Sequence, residues 1–287
     1  MKNSNAKIKK KLAGVGTAIL AVILFASFAS NALAIEYGGF GGRPAYPRSD
    51  NPRTESIFIH TLDPGATQKE GVLVVNNSAE QKTVLVYAVD STPSTGGAFA
   101  CEQFSEVKDD VGAWITLAKS EVSLDPGTNE LVPFTITVPK NAGVGEHNGC
   151  IIIQEKLAKP DSKSGVGLSF RTGLRVAITI PGTLERKLEI VGFTLTPKED
   201  GSFLLQPKVK NLGNVSIDAD AQVVTRYFFG LTHFTHGGQY PILRGDTSDW
   251  NFELKKPFWG GWYRSNFVVE YDINPEAGVG VKSGKAL

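Results

Sequence analysis

Few residues in this chain stand at spacings that do chemistry. His233 and His236 form H-x-x-H within LTHFTH. Two imidazoles three apart need a third ligand to hold a metal, and on a strand they face opposite sides. They read as exposed loop histidines, and His60 and His147 stand isolated. Asp218 with Asp220, and Asp246 with Asp249, are carboxylate pairs of a kind that can bind calcium, but no EF-like or RTX-like spacing surrounds them. The stretch GVGVKSGK, residues 278–285, has the look of a phosphate loop. Val279 stands where that loop needs glycine, and Ala286 stands where a Ser or Thr would meet magnesium. No G-x-S-x-G elbow occurs. The sequence implies no catalytic residue, no metal site and no cofactor, and the chain reads as a binding protein rather than an enzyme.

Two features remain. Cys101 and Cys150 have no partner at ligand spacing, so in an oxidising compartment the default is one disulfide, with two buried free thiols as the alternative. The run Phe258-Trp259-Gly260-Gly261-Trp262-Tyr263 puts Gly-Gly between aromatics, which suits a tight hairpin with the two Trp meeting across it. Trp259, Trp262 and Tyr263 are candidate binding aromatics for a sugar or a protein. Core and hairpin packing is the plainer reading, since Phe267, Val269 and Tyr271 continue on one face.

The compartment follows from the N-terminus. Lys2, Lys7, Lys9, Lys10 and Lys11 precede an apolar run from Leu12 to Phe28, and Ala32-Leu33-Ala34 offers a signal-peptidase site with cleavage after Ala34. Residues 1–34 read as a signal peptide or, uncleaved, as an N-terminal transmembrane anchor helix, since the run approaches spanning length. Either way, the rest lies outside the cytoplasm. The whole chain has 30 Lys+Arg and 29 Asp+Glu; the five leader lysines removed, acids exceed bases by four. No basic patch remains for a phosphate backbone, so nucleic acid is excluded as a partner. A membrane is met only through the N-terminal segment, if that stays on.

What must position any site is β structure. Phe134, Ile136 and Val138 alternate with polar neighbours; so do Leu174 to Ile180, Val215 to Ala221, and Trp250 to Leu254. The continuous runs Val72–Val75, Val84–Val89 and Ile151–Ile153 read as strands covered more fully. The phrase LDPG occurs twice, at residues 62–65 and 124–127. Pro presets φ near −65° and Gly accepts a positive φ, so each copy predicts a type II turn between strands. The opening stretch from Glu36 to Arg53 is too rich in Gly and Pro for regular structure. Lys156–Gly167 reads as an exposed hairpin loop. Pro181-Gly182 closes a strand and marks a boundary. The fold class expected is all-β: two tandem immunoglobulin-like sandwiches, 35–182 and 183–287, after the leader.

The segments NPRTESIFIHTLDPG, VLVVNNSAEQKTVLVYAVD, SLDPGTNELVPFTITVPKNAGVGEHNGCIII and GLRVAITIPG resemble the N-terminal domain of Gram-positive WxL-interacting surface proteins, over roughly Arg43 to Gly182. That resemblance implies an Ig-like sandwich, a first domain linked to peptidoglycan and a second to host or matrix proteins. The family's C-terminal transmembrane helix and basic tail have no counterpart before Leu287, and no binding residues carry over. The expected function is a non-catalytic envelope protein that binds peptidoglycan or another surface protein. One alternative is a periplasmic chaperone that offers a sheet edge to a client strand, with a basic anchor for a carboxylate. A wall hydrolase is the other, and it lacks paired carboxylates in a cleft.

Overall fold

The computed structural model describes residues 35–37, 39–93, 99–156, 169–227, 230–255, 262–274 and 279–286. The first half carries β1 (Ile35–Tyr37), β2 (Phe40–Pro44), β3 (Phe58–Thr61), β4 (Thr67–Asn76), β5 (Lys82–Pro93), β6 (Phe99–Cys101), β7 (Ile115–Leu117), β8 (Glu121–Leu124), β9 (Asn129–Thr137), β10 (Gly145–Glu155) and β11 (Arg171–Ile180). One sheet has the order β1-β2-β4-β9-β7, and the facing one β3-β11-β10-β5-β6, with β8 also on β5. Inward residues of both sheets, among them Val72, Val132, Ile136, Val86, Ile151, Ile153, Leu174 and Ile178, share one core. That is the sandwich arrangement the alternating runs call for.

The unbroken apolar runs have their own cause. Ile151 and Ile153 face the core, while Cys150 and Ile152 face outward and still lie buried. Tyr87 and Val89 on β5 join them in a second small cluster, roofed by Phe99 and Cys101. The segment that follows β6 folds back over the sheet. Asp90 holds it: its carboxylate accepts from the amides of Asp109 at 2.7 Å, Asp110 at 3.0 Å and Gly112 at 2.6 Å, at the start of the short helix α1 (Val111–Trp114).

The repeated phrase does one job twice. In each copy the amide of the residue after Gly donates back to the Asp carbonyl, Ala66 to Asp63 at 3.0 Å and Thr128 to Asp125 at 3.2 Å. Gly65 sits at φ 83° and Gly127 at φ 70°, as a type II turn demands. The first turn joins β3 to β4 and the second β8 to β9, so both carry the chain from one sheet to the other. The Gly- and Pro-rich opening is more ordered than its composition suggests. Phe40–Pro44 forms β2 against β4, and glycine at 42 lets the strand approach its neighbours: a Cβ there would lie 2.4 Å from Ile153 Cδ1. Pro52–Glu55 then forms a 3₁₀ turn capped by the Asn51 side chain.

The second half carries β12 (Leu188–Pro197), β13 (Phe203–Asn211), β14 (Ile217–Tyr227), β15 (Thr232–Ile242), β16 (Thr247–Asp249), β17 (Phe252–Leu254), β18 (Tyr263–Asn274) and β19 (Val279–Ala286). Its sheets run β12-β13-β16, with β17 also on β13, and β15-β14-β18-β19. Leu205, Val209, Ala219, Val223, Trp250, Phe252, Phe267 and Val269 make a separate core, with Trp250 stacked on Tyr240 at 4.6 Å. Both halves use one device at a strand end. Asn76 Nδ2 donates to the carbonyls of Glu80, Leu124 and Asp125, and Asn211 Nδ2 to those of Val215 and Ile242. The protein is all-β with immunoglobulin-like sandwich architecture.

The aromatic hairpin expected at residues 258–263 falls mostly on residues 256–261, which lie outside the described residues; the strands on either side, β17 and β18, belong to different sheets. The leader with its cleavage point after Ala34, and most of the Lys156–Gly167 loop, lie outside the described residues. No helix among those residues is long and apolar enough to cross a membrane.

Candidate functional site

β11 is the strand around which the polar chemistry gathers. β10 pairs along its whole length, Gly145↔Ile180 to Gln154↔Arg171. On the other side β3 runs parallel to it, from Val176↔Phe58 to Thr179↔Thr61 only. Among the described residues no strand hydrogen-bonds to that side of Arg171–Arg175, although β1 passes nearby. An unpaired edge of five residues therefore stands beside a covered one.

The outward side chains of this stretch are all committed. Arg171 donates to the carbonyls of Cys101 and Glu102 and to Gln103 Oε1, each at 3.1 Å. Cys101 is bonded to Cys150, and a Cβ on Gly173 would lie 2.8 Å from Cys101 Sγ. The disulfide thus ties the β6 segment across the outer face of β10 and β11, and glycine leaves the room. Arg175 lies 5.2 Å over the Phe99 ring. A disulfide and an export leader together place the folded chain outside the cytoplasm.

Arg175 also reaches the second half. Its Nη2 donates to Glu146 Oε1 at 2.7 Å and its Nε to Asn148 Oδ1 at 2.9 Å. Glu146 accepts from Ser216 Oγ at 2.5 Å, and its amide donates to Asn214 O at 2.7 Å. Burial pushes the Glu146 carboxyl up; Arg175 and the hydrogen bonds from Ser216 and Asn148 outweigh burial and hold it below the usual range. The backbones are so close that a Cβ on Gly145 would lie 2.2 Å from Asn214 O. Arg186 Nη1 donates to Ser216 O at 3.2 Å, and Arg53 approaches Asp218 at 3.6 Å. Together they line a cleft of about 280 Å³ with Asp272, three guanidiniums facing three carboxylates.

His147 is the other residue that spacing alone leaves unexplained. It lies 2.6 Å from Asp110 Oδ1, 2.9 Å from Gly143 O and 3.2 Å from Arg244 Nη1. Aspartate, carbonyl and guanidinium supply no nucleophile, so this contact joins loops. Among the described residues no cluster of His, Cys, Asp or Glu could hold a metal.

The sequence candidates fall elsewhere. Trp259 lies outside the described residues, Trp262 is 89% exposed, and Tyr263 packs against Tyr227 and His233. Trp262 and Tyr263 sit at the end of β14 remote from Ser216. Sequence reasoning missed Glu146 and Arg175. The usable signal was a lone charge inside an apolar strand, in GEHNGCIII and GLRVAITI.

No family model and no curated protein matches the chain. Solved structures are similar to it at low identity. One comes from a chaperone–tip adhesin complex of CFA/I fimbriae biogenesis, 13% identical over 86% of this chain and 98% of that one, with a TM-score of 0.41. The E. coli chaperone DraB is 12% identical over 81% and 95%, TM-score 0.39. A Salmonella enterica complex of the SafA pilin with the SafB chaperone gives 10% over 89% and 100%, TM-score 0.37. These likenesses concern the fold alone. The expectation of a peptidoglycan- or surface-binding module is corrected here. The similar solved structures are described as fimbrial chaperones and their complexes.

Proposed function

We propose that this chain is a non-catalytic assembly factor of the cell envelope that adds the open edge of β11 to an extended segment of another exported protein. The observation that carries this reading is the mismatch between β11, ten residues long, and the four of them that β3 covers. Five backbone positions without a strand partner on that side match an ordinary strand in length. Exposed edges are templates for pairing, and main-chain hydrogen bonds to an edge give affinity without a preformed pocket. The fimbrial chaperone descriptions of the similar structures agree with this reading, which is argued from this chain's own edge.

The two sandwiches act as two domains, residues 35–182 and 183–287, and the Arg175–Glu146–Ser216 contact fixes their angle. Arg175 is spent on that contact. Arg53, 58% exposed, and Arg186 at the cleft mouth are the cations left to meet a client's carboxylate.

A photo-crosslinking residue in place of Ser169, exposed at the head of the β11 edge, in cells that export the protein, tests the proposal. The expected result is an adduct whose partner peptide maps to an extended segment of an exported protein. The same probe at Gly192, far from the edge, should give none. Equal labelling at both places, or no adduct at the edge, would remove the reading.

A further inference from the structure

The second sandwich ends in a surface that the edge of β11 does not use. Cross-strand register puts Arg226 opposite Arg264 and Tyr227 opposite Tyr263, at the end of β14 and the start of β18. The turn after β14 is closed by the Tyr227 amide donating to Leu231 O at 3.1 Å. Tyr263 lies 6.1 Å from Tyr227 and 5.3 Å from His233, centroid to centroid. Around this ring cluster Leu231 is 57% exposed and Trp262 89%. Ten residues of β14 separate it from Ile217 at the junction, about 33 Å at 3.3 Å per residue.

Three observations say what meets this end. First, Arg226 and Arg264 are both exposed and directly opposed, with no acidic partner at salt-bridge distance among the described residues. Like charges in register destabilise a sheet unless an anion neutralises them. Second, the outer face of the same sheet turns acidic toward the junction, with Asp218, Asp220, Glu270 and Asp272 all exposed. Charge is thus separated along the strands, and a negative surface would draw in the arginine end first. Third, the exposed apolar groups sit at strand ends rather than on a sheet face or in a groove. Trp and Tyr beside Arg, at one level, are the side chains that settle at the boundary between lipid headgroups and acyl chains. A rigid protein partner is instead met by anchors in well-packed, water-excluding pockets, and Trp262 stands free of one.

We propose that this end of the molecule docks reversibly on an anionic lipid surface. Trp262 and Leu231 enter the interface, and Arg226 and Arg264 meet the phosphates. The site is independent of strand addition and leaves clear the β11 edge, which belongs to the other sandwich and meets the junction at Arg175. The net negative charge outside the leader does not oppose this, because attraction within a Debye length depends on the local cations.

The test uses the protein as isolated from exporting cells, with vesicles of phosphatidylglycerol mixed into phosphatidylcholine against vesicles of phosphatidylcholine alone. Wild type should bind the first, release with salt and shift its tryptophan emission to the blue. The double variant Arg226→Gln/Arg264→Gln should bind about thirtyfold more weakly. Trp262→Ala should lose most of the emission shift while its urea midpoint stays at the wild-type value. Equal binding by wild type and both variants would overturn the proposal, since a retained leader would then account for it. So would no binding to either vesicle, or retention by a protein partner that the same variants abolish.

Discussion

Glu146 is the side chain on which most of the junction converges. Its carboxyl titrates lower in the fold than in the unfolded chain, where a glutamate has a pKa of about 4.3. A depressed folded value means the stabilisation is fully present above the unfolded pKa and fades as pH falls through the folded one. The urea midpoint of the wild type should therefore drop between about pH 5 and pH 3, and Glu146→Gln should flatten that part of the profile. At neutral pH the same variant leaves Arg175 buried without its anion and should cost about 3 kcal/mol in urea unfolding. Gly145 is constrained differently: at φ 120°, with Asn214 O in the way, Gly145→Ala should cost at least about 1–3 kcal/mol and spread the junction.

At the scale of elements, the two LDPG turns offer a paired comparison. A Cβ on Gly127 meets nothing within 4 Å, whereas one on Gly65 meets Lys140 Cγ at 3.3 Å. Alanine at either position incurs the positive-φ penalty, about 1 kcal/mol, and Gly65→Ala should be the worse of the two by thermal unfolding. The β6 segment is held by the disulfide. Opening a loop closed over a separation of 49 residues should cost about 4 kcal/mol, and reduction should expose residues 99–110 to protease before the sandwich unfolds. These elements also mark what the sequence could reveal. The turns and alternating strands were legible because glycine, proline and period two act locally. β2 was not, because Gly42 is there for the close approach of Ile153, more than a hundred residues away in the chain. The aromatic run at 258–263 carried no sign that the strands flanking it, β17 and β18, join different sheets, because nothing local encodes that. Nor does sequence show that Arg175 faces Ser216, which is a fact of the junction.

At the scale of the whole molecule, three surfaces divide the work. On the proposed reading the β11 edge takes a client strand, the junction fixes the angle between the two sandwiches, and the arginine-bearing end meets a lipid surface. The division predicts separable defects. Glu146→Gln should lower stability while crosslinks at position 169 persist below its new melting point, and the double arginine variant should leave both unchanged. The account stands or falls on the edge itself. Residue-resolved amide hydrogen exchange of the free protein tests it most directly. Those amides of Arg171–Arg175 that point away from β10 should exchange at near-unprotected rates, while Val176–Thr179 stay protected beneath β3. Uniform protection from Arg171 to Ile180 would mean that the edge is already occupied, and would contradict strand addition there.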